Sequence, residues 1–155
     1  MTALLSQNGY NFERVGRWID EDMFIKKKKI ILPINLGNSH WATAVISIEE
    51  QTIKYLDSSH QNRGNRYLDA LLKFVHDSWK KLNNGRNLPD SDKWILIGHT
   101  SDIPQQTNGY DCGVFCIMFA EHNAMNLALH FSQRDIPNTR QRITRMIQET
   151  TNITI

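Results

Sequence analysis

Residues 104–120 read PQQTNGYDCGVFCIMFA, and this stretch changes character at Cys112. Before the cysteine the chain is polar and turn-prone, with a proline, two glutamines and an Asn-Gly dipeptide that tolerates a positive backbone φ. From Val114 onward the chain is apolar and long enough for a buried helix. The pattern predicts that Cys112 lies at a loop-to-helix junction.

A cysteine at the start of a helix is suited to nucleophilic chemistry. The unpaired N–H groups of the first turn and the positive end of the helix dipole favour a thiolate over a thiol. Gly113 removes a side chain beside the sulfur and lets a substrate backbone approach. Cys116 lies one turn further along the same helix without such neighbours, and it is predicted to be a core residue.

A reactive cysteine also needs a base, and the base needs a group that orients it. The sequence offers His40, which is followed by Trp41, and Asp57 further along. Residues 42–48 and 52–56 are predicted strands joined by a short polar connection, so they should pair as an antiparallel hairpin. Because His40 precedes the first strand and Asp57 follows the second, pairing should bring the two side chains together.

The rest of the chain predicts an α+β domain. Strands are expected at residues 30–34, ending near Pro33, and at residues 94–97. An apolar stripe predicts a helix from Gly64 to residue 82, and a surface helix with an apolar face at Ile143, Met146 and Ile147 should follow Pro137. The helix after Cys112 is apolar on every side and should be central. A capping box is expected at residues 132–135, and residues 4–18 should be a short helix at best.

Composition narrows the function classes. With 155 residues, 40% of them hydrophobic, the chain is expected to form one domain. A net charge of +2 is too small to argue for nucleic acid as a partner, so none is expected, and no apolar run is long enough for a membrane span. Only two cysteines, four residues apart, indicate a reducing compartment, nuclear or cytoplasmic, and no secretory leader is recognisable. The lysine run 26–29 is either a solvated loop or a patch for nuclear import or an acidic partner.

Three separated motifs then resemble one family. They are HW at residues 40–41, YxDS at residues 55–58 and PQQxNGxDCGxF at residues 104–115. In this order they resemble the ubiquitin-like-modifier proteases, the sentrin/SUMO-specific cysteine proteases, and the resemblance runs from Gly9 to Glu149. It implies a papain-like cysteine protease fold, in which a small mixed sheet is flanked by helices and the catalytic cysteine begins the central helix.

The resemblance also implies a role for each site residue. Cys112 would be the nucleophile, His40 the general base and Asp57 the group that orients the imidazole. Gln106 would donate to the oxyanion, with Gln105 as a competitor for that role. Trp41 would form one wall of a narrow tunnel over the substrate's Gly-Gly tail.

The implied reaction is cleavage after the C-terminal Gly-Gly of a ubiquitin-like modifier, with SUMO and its conjugates as partners, by a monomer that needs no cofactor. The family's catalytic domain normally begins well upstream, so residues 1–155 are expected to be a single, N-terminally truncated catalytic domain. Three alternatives stay open. They are an inactive domain that only binds a modifier, a relative acting on another modifier, and a cysteine-dependent acetyltransferase.

A metal site is the weakest reading of the sequence. Cys112, Cys116, His122 and His130 could be imagined as ligands, but a helix would spread them over several turns and the usual close ligand pairs are missing. No metal is therefore expected. The histidines other than His40 are predicted to be surface or packing residues.

Overall fold

The computed structural model describes residues 5–6, 9–19, 27–59, 64–98 and 102–151. Its strands are β1 (Leu5–Ser6), β2 (Gly9–Tyr10), β3 (Lys29–Leu36), β4 (His40–Ser47), β5 (Thr52–Leu56) and β6 (Ile95–Ile97). Its helices are α1 (Phe12–Val15), α2 (Asn65–Leu82), α3 (Cys112–Ala124) and α4 (Ile136–Thr151). Short 3-10 turns cover Gly16–Trp18, Ser91–Lys93 and Gln133–Asp135.

Strands β3, β4, β5 and β6 form one sheet in that order. The pairs β3–β4 and β4–β5 are antiparallel, whereas β5 and β6 are parallel. The predicted mixed sheet and the predicted β4–β5 hairpin are therefore confirmed. Helix α2 lies between β5 and β6 in the chain, and it supplies the long crossover that a parallel pair requires.

The two faces of the sheet carry different helices. Successive side chains of a strand point to opposite faces. On β4, Ala44 and Ile46 belong to a core that includes α2, whereas Val45 between them belongs to a second core that includes α3. The sheet thus lies between α2 on one face and α3 on the other, and this confirms the predicted arrangement of a sheet flanked by helices.

Helix α2 follows the predicted apolar stripe. Leu68, Leu71 and Val75 on this stripe are buried. Tyr67 and Phe74 are also buried, so the apolar face is wider than the stripe alone predicts. Because this face is buried against β5, helix α2 holds in place the strand that Asp57 follows.

Strand β3 differs from its predicted bounds. It continues through Pro33 to Leu36 instead of ending near the proline. In the described sheet β3 is an edge strand, so a residue without an N–H group can be tolerated where its ring faces away from the ladder. The longer β3 pairs with β4 as far as Leu36 and His40, and it thereby braces the start of β4.

The first part of the chain was predicted in part. The expected short helix is present as α1 with the 3-10 turn that follows it, but before α1 the strands β1 and β2 form a two-residue antiparallel pair that was not expected. Strands this short have no detectable periodicity, so sequence patterning misses them. The hydroxyl of Tyr10 donates to Asp77 Oδ2 of α2 over 2.9 Å, which ties this strand pair to the body of the domain.

The last helices were predicted correctly in kind. Helix α3 packs on β4 and β3, as expected of a central helix, and its Ile117 side chain is 46% exposed. The Ser132–Asp135 capping box is confirmed, and α4 begins at Ile136. Met146 and Ile147 on the predicted apolar face of α4 are exposed.

None of the helices in the described part of the chain has the length and apolar character that crossing a membrane demands.

Candidate active site

The β4–β5 hairpin brings His40 and Asp57 into contact. His40 is the first residue of β4, and Asp57 directly follows β5. His40 Nε2 lies 2.6 Å from Asp57 Oδ1, and the Asp57 side chain is completely buried. The predicted proximity of these two side chains is therefore confirmed. Only the start of β4 differs, because His40 lies within the strand and does not precede it.

Asp57 is held by more than the imidazole. Its Oδ1 also accepts the backbone N–H of Ser59 over 2.9 Å, and its Oδ2 accepts the Tyr55 hydroxyl over 3.2 Å. Three donors converge on this carboxylate, and a carboxylate is an acceptor-only group in its ionised form. The orientation of the imidazole follows from this fixed acceptor. With Nε2 bonded to Asp57, Nδ1 is the ring nitrogen that remains for another partner.

Cys112 is the first residue of α3, as predicted. The Asp111 carbonyl accepts the N–H groups of Val114 and Phe115, whereas the N–H groups of Cys112 and Gly113 have no acceptor one turn earlier in the helix. The side chain of Cys112 is mostly buried. Among the described residues, no hydrogen bond joins the Cys112 sulfur to His40, and the hydrogen bonds of catalytic pairs are often longer before substrate binds.

The second cysteine has a different environment. Cys116 Sγ donates to the Ala42 carbonyl over 3.3 Å and accepts from the Thr43 hydroxyl over 3.2 Å. Burial raises the pKa of the Cys116 thiol, and the bond from Thr43 offsets this only in part. Cys116 is therefore held as a thiol between α3 and β4, which confirms its predicted place in the core.

Gln105 and Gln106 lie beside Asp57 and have different partners. Gln105 Nε2 donates to the carbonyls of Asp57 and Ile103 over 3.3 and 3.2 Å, so both of its amide hydrogens are engaged. Gln106 Oε1 accepts the Ser58 hydroxyl over 2.7 Å, and Nε2 donates to the Asn108 carbonyl. One amide hydrogen of Gln106 is left for a further acceptor, which favours Gln106 over its competitor as an oxyanion donor.

Trp41 and Cys112 line the same groove, whose volume is about 830 Å³. Trp41 is 41% exposed. A Cβ atom added to Gly113 would lie 3.8 Å from Trp41 Cδ1, so the indole lies close to the glycine that follows the nucleophile. Tyr110, which is also strongly exposed, lines the same groove.

Gly113 allows a test of this groove. Its φ is not positive, so the backbone does not require glycine, and a Cβ at 3.8 Å from the indole is an ordinary contact. Gly113→Ala should therefore raise the free energy of unfolding by up to about 1 kcal/mol, because alanine is the better helix former. The resemblance implies that a diglycine-ended substrate passes beneath Trp41, so in the same variant we expect kcat/KM for such a substrate to fall at least tenfold, because the added methyl group would take up that space. Urea denaturation measures the change in stability, and steady-state kinetics measure the change in kcat/KM. An unchanged kcat/KM would mean that the substrate does not pass beside Gly113.

Sequence reasoning missed Asp111. Its carboxylate is buried and makes no capping bond to the start of α3. Instead Oδ2 accepts the amides of Asn108 and Gln133, both over 2.6 Å, and Oδ1 accepts Nε of Arg140 over 3.1 Å as well as its Nη2. An aspartate before a helix reads as an ordinary N-cap, so the sequence carried no signal for these long-range partners.

The hydrogen bonds to Asp111 make stability depend on pH. Burial alone would raise the pKa of this carboxyl, but the hydrogen bonds from Arg140, Asn108 and Gln133 hold it below its ordinary value of 3.8. A folded-state pKa below the unfolded value means that ionised Asp111 stabilises the fold at neutral pH. This contribution disappears as the pH falls through the folded-state pKa.

We therefore expect Asp111→Asn to lower the free energy of unfolding by about 2–4 kcal/mol at pH 7. The deficit relative to the natural protein should shrink below about pH 4, because protonation removes the same interaction there. Urea denaturation from pH 7 to pH 3 measures this difference in the free energy of unfolding. Asp92→Asn, at an exposed aspartate, is the matched control. A deficit that does not change with pH would mean that the charge of Asp111 plays no part.

Three of the other histidines lie in the described part of the chain, and His76 among them is half-buried on α2. His122 Nδ1 bonds the Met118 carbonyl over 2.8 Å and its ring packs on Phe131, while His130 is exposed. His60 and His99 lie outside the described residues. Over the described ranges no group of three or more His, Cys, Asp or Glu side chains is arranged to hold a metal ion.

Comparison with protein families gives a match over nearly the whole chain. Residues 5–152 match the model described as "Ulp1 protease family, C-terminal catalytic domain". A putative ubiquitin-like-specific protease 1B of Arabidopsis thaliana is 34% identical, over 93% of this chain and 42% of the relative. Sentrin-specific protease 2 of Homo sapiens is 32% identical, over 90% of this chain and 23% of the relative. The chain thus spans less than half the length of these relatives.

Solved structures give the same result. The SUMO protease Ulp1, with its catalytic cysteine oxidised to a sulfenic acid, aligns with a TM-score of 0.72 at 31% identity, over 90% of this chain and 62% of that one. The C-terminal Ulp1 protease domain in complex with Smt3, the yeast orthologue of SUMO, aligns with a TM-score of 0.69 at 31% identity, over 89% of this chain and 59% of that one. The predicted papain-like protease fold is confirmed by these alignments.

Proposed function

Because this chain belongs to the Ulp1 protease family, we propose that it is a cysteine protease that cleaves after the C-terminal Gly-Gly of a ubiquitin-like modifier. The observation that carries the proposal is the contact between His40 Nε2 and the buried Asp57, which leaves Nδ1 of the imidazole for the sulfur of Cys112. SUMO is the proposed modifier, because a similar protease domain has been solved with Smt3, a SUMO orthologue.

The proposed reaction has two stages, and His40 moves the proton in both. Nδ1 of His40 takes the Cys112 proton, and the thiolate attacks the carbonyl carbon of the terminal glycine. As the tetrahedral intermediate collapses, His40 gives this proton to the leaving amine and a thioester remains on Cys112. His40 then takes a proton from water, whose oxygen attacks the thioester, and the proton returns to the sulfur as the glycine carboxylate departs.

The first turn of α3 and Gln106 stabilise the oxyanion in this proposal. The Cys112 N–H has no acceptor within the helix, and one amide hydrogen of Gln106 is left for a further acceptor. Donors aimed at developing charge lower the barrier because they need no reorganisation during the reaction. The Trp41 indole, close to Gly113, would admit only residues without side chains, which accounts for selection of a diglycine end.

Gln106→Ala separates this role from that of its neighbour. We expect kcat to fall by about 100–1000-fold, as for other lost oxyanion donors, with little change in KM. Gln105→Ala is the matched control, since its amide is engaged by backbone carbonyls, and its loss in kcat should be smaller. Stopped assays on a SUMO C-terminal substrate give both values. The reverse order of the two losses would assign the oxyanion role to Gln105.

A fluorogenic substrate on the C terminus of SUMO tests the function as a whole. We expect turnover by the natural chain that far exceeds turnover by Cys112→Ala. Equal rates for the two would support the alternative of a domain that only binds the modifier. Turnover of a different ubiquitin-like substrate, but not of SUMO, would instead indicate a relative with another specificity.

We propose an intracellular, reducing location, nuclear or cytoplasmic, for this activity. Both cysteines are free, and Cys112 must stay reduced to act as a nucleophile. Imaging of the tagged chain tests this, and accumulation in a secretory compartment would contradict it.

A further inference from the structure

The carboxylate before the nucleophile joins its own loop to two later segments of the chain. Asp111 accepts hydrogen bonds from Asn108 in the preceding loop, from Gln133 in the turn before α4 and from Arg140 on α4. The Asp111 side chain is only 5% exposed, whereas that of Arg140 is 49% exposed. A buried carboxylate therefore has its countercharge on a half-exposed arginine of another helix.

The direction of this carboxylate matters for its neighbour. An aspartate at an N-cap normally turns its side chain toward the first N–H groups of the helix. Asp111 makes no such bond, and its carboxylate is turned toward Arg140 instead. A negative charge at the start of α3 would disfavour a thiolate on Cys112, because like charges oppose ionisation.

We propose that Arg140 is a positioning residue for the reaction: by pairing with Asp111 it anchors the start of α3 and keeps an uncompensated negative charge from standing beside the reactive sulfur. This inference rests on the proposed role of Cys112 as the nucleophile. Arg140 and Cys112 also line the same groove, so the positive charge of the arginine lies on the same groove as the reactive sulfur.

The proposed active site holds other ionisable groups, and the test must leave them unchanged. His40 and Asp57 come from β4 and the end of β5, Cys116 lies on α3 itself, and Tyr110 lines the groove. None of these residues donates to the Asp111 carboxylate, so variants at positions 111 and 140 leave them in place.

The experiment measures how the rate of iodoacetamide alkylation at Cys112 depends on pH. Peptide mass spectrometry measures the alkylation of Cys112 separately from that of Cys116. Iodoacetamide is a small probe, so the measured rate does not include contacts that Arg140 could make with a protein substrate. Arg140→Met leaves the carboxylate unpaired, and we expect its alkylation midpoint to rise by about one pH unit. Asp111→Asn leaves the arginine unpaired, and its midpoint should fall. The double variant should return close to the natural protein.

Opposite shifts distinguish this inference from a merely structural role. Loss of packing alone would move both single variants in the same direction, and that result, or no shift in Arg140→Met, would overturn the inference. If Arg140→Met does not fold, Asp111→Asn decides the matter, since a midpoint above the natural one contradicts the account. No modifier is used, so the result is independent of whether the chain cleaves SUMO.

Discussion

Cys112→Ala should abolish cleavage of a SUMO C-terminal substrate, with a loss in kcat of about 10⁴–10⁶-fold, because it removes the sulfur that forms the thioester. Cys116 also lines the groove, but its thiol is bonded to Ala42 and Thr43 and burial raises its pKa, so it should not replace Cys112. The fold should survive, since the side chain is small and α3 is anchored by its apolar face on β4. The measurement is kcat on the fluorogenic substrate together with a thermal melt.

Cys116→Ala is the matched control for this prediction. It lies one turn along the same helix and is equally buried, but its sulfur bonds Ala42 and Thr43 within the core. We expect it to cost about 1 kcal/mol in the free energy of unfolding and to leave kcat within a few-fold. Loss of activity in Cys116→Ala, with activity retained in Cys112→Ala, would reverse the assignment of the nucleophile.

Asp57→Asn has the second largest expected effect. The carboxylate holds the His40 imidazole through Nε2, and an amide in its place can present a donor to that nitrogen and favour the wrong tautomer. We expect kcat to fall by about 10²–10⁴-fold, whereas KM changes little, because Asp57 is buried and is not expected to touch the substrate.

Asp77→Asn is the matched control for Asp57. It weakens a comparable hydrogen bond, from the Tyr10 hydroxyl, on the α2 side of the sheet away from Cys112. That variant should lose some stability and keep its kcat. A rise in KM as large as the fall in kcat for Asp57→Asn would assign Asp57 to substrate binding and not to orientation of the base.

The contact between His40 and Asp57 could be predicted from sequence because it depends on local structure. Two strands with a short connection must pair as a hairpin, and their outer ends then meet whatever the rest of the chain does. The position of Cys112 at a helix start was equally predictable, since a polar loop gives way there to an apolar run.

The partners of Asp111 and Cys116 could not be predicted in this way. Arg140 is 29 residues from Asp111, and Thr43 is 73 residues from Cys116. No periodic pattern or spacing marks such pairs, because they depend on how α3 packs against α4 and β4. For the same reason the sequence could not show that the Asp111 side chain bonds Arg140 and does not cap the start of α3. The sequence alone could suggest only an N-cap.

The most direct test of the account uses SUMO with a vinyl sulfone at its C terminus. The electrophile replaces the scissile carbonyl, so an adduct requires a modifier seated in the groove and a thiolate within bonding distance. We predict a single adduct by intact mass, mapped by peptide sequencing to Cys112 and absent in Cys112→Ala. No adduct, or an adduct at Cys116, would contradict the claim that Cys112 is the nucleophile of a SUMO protease.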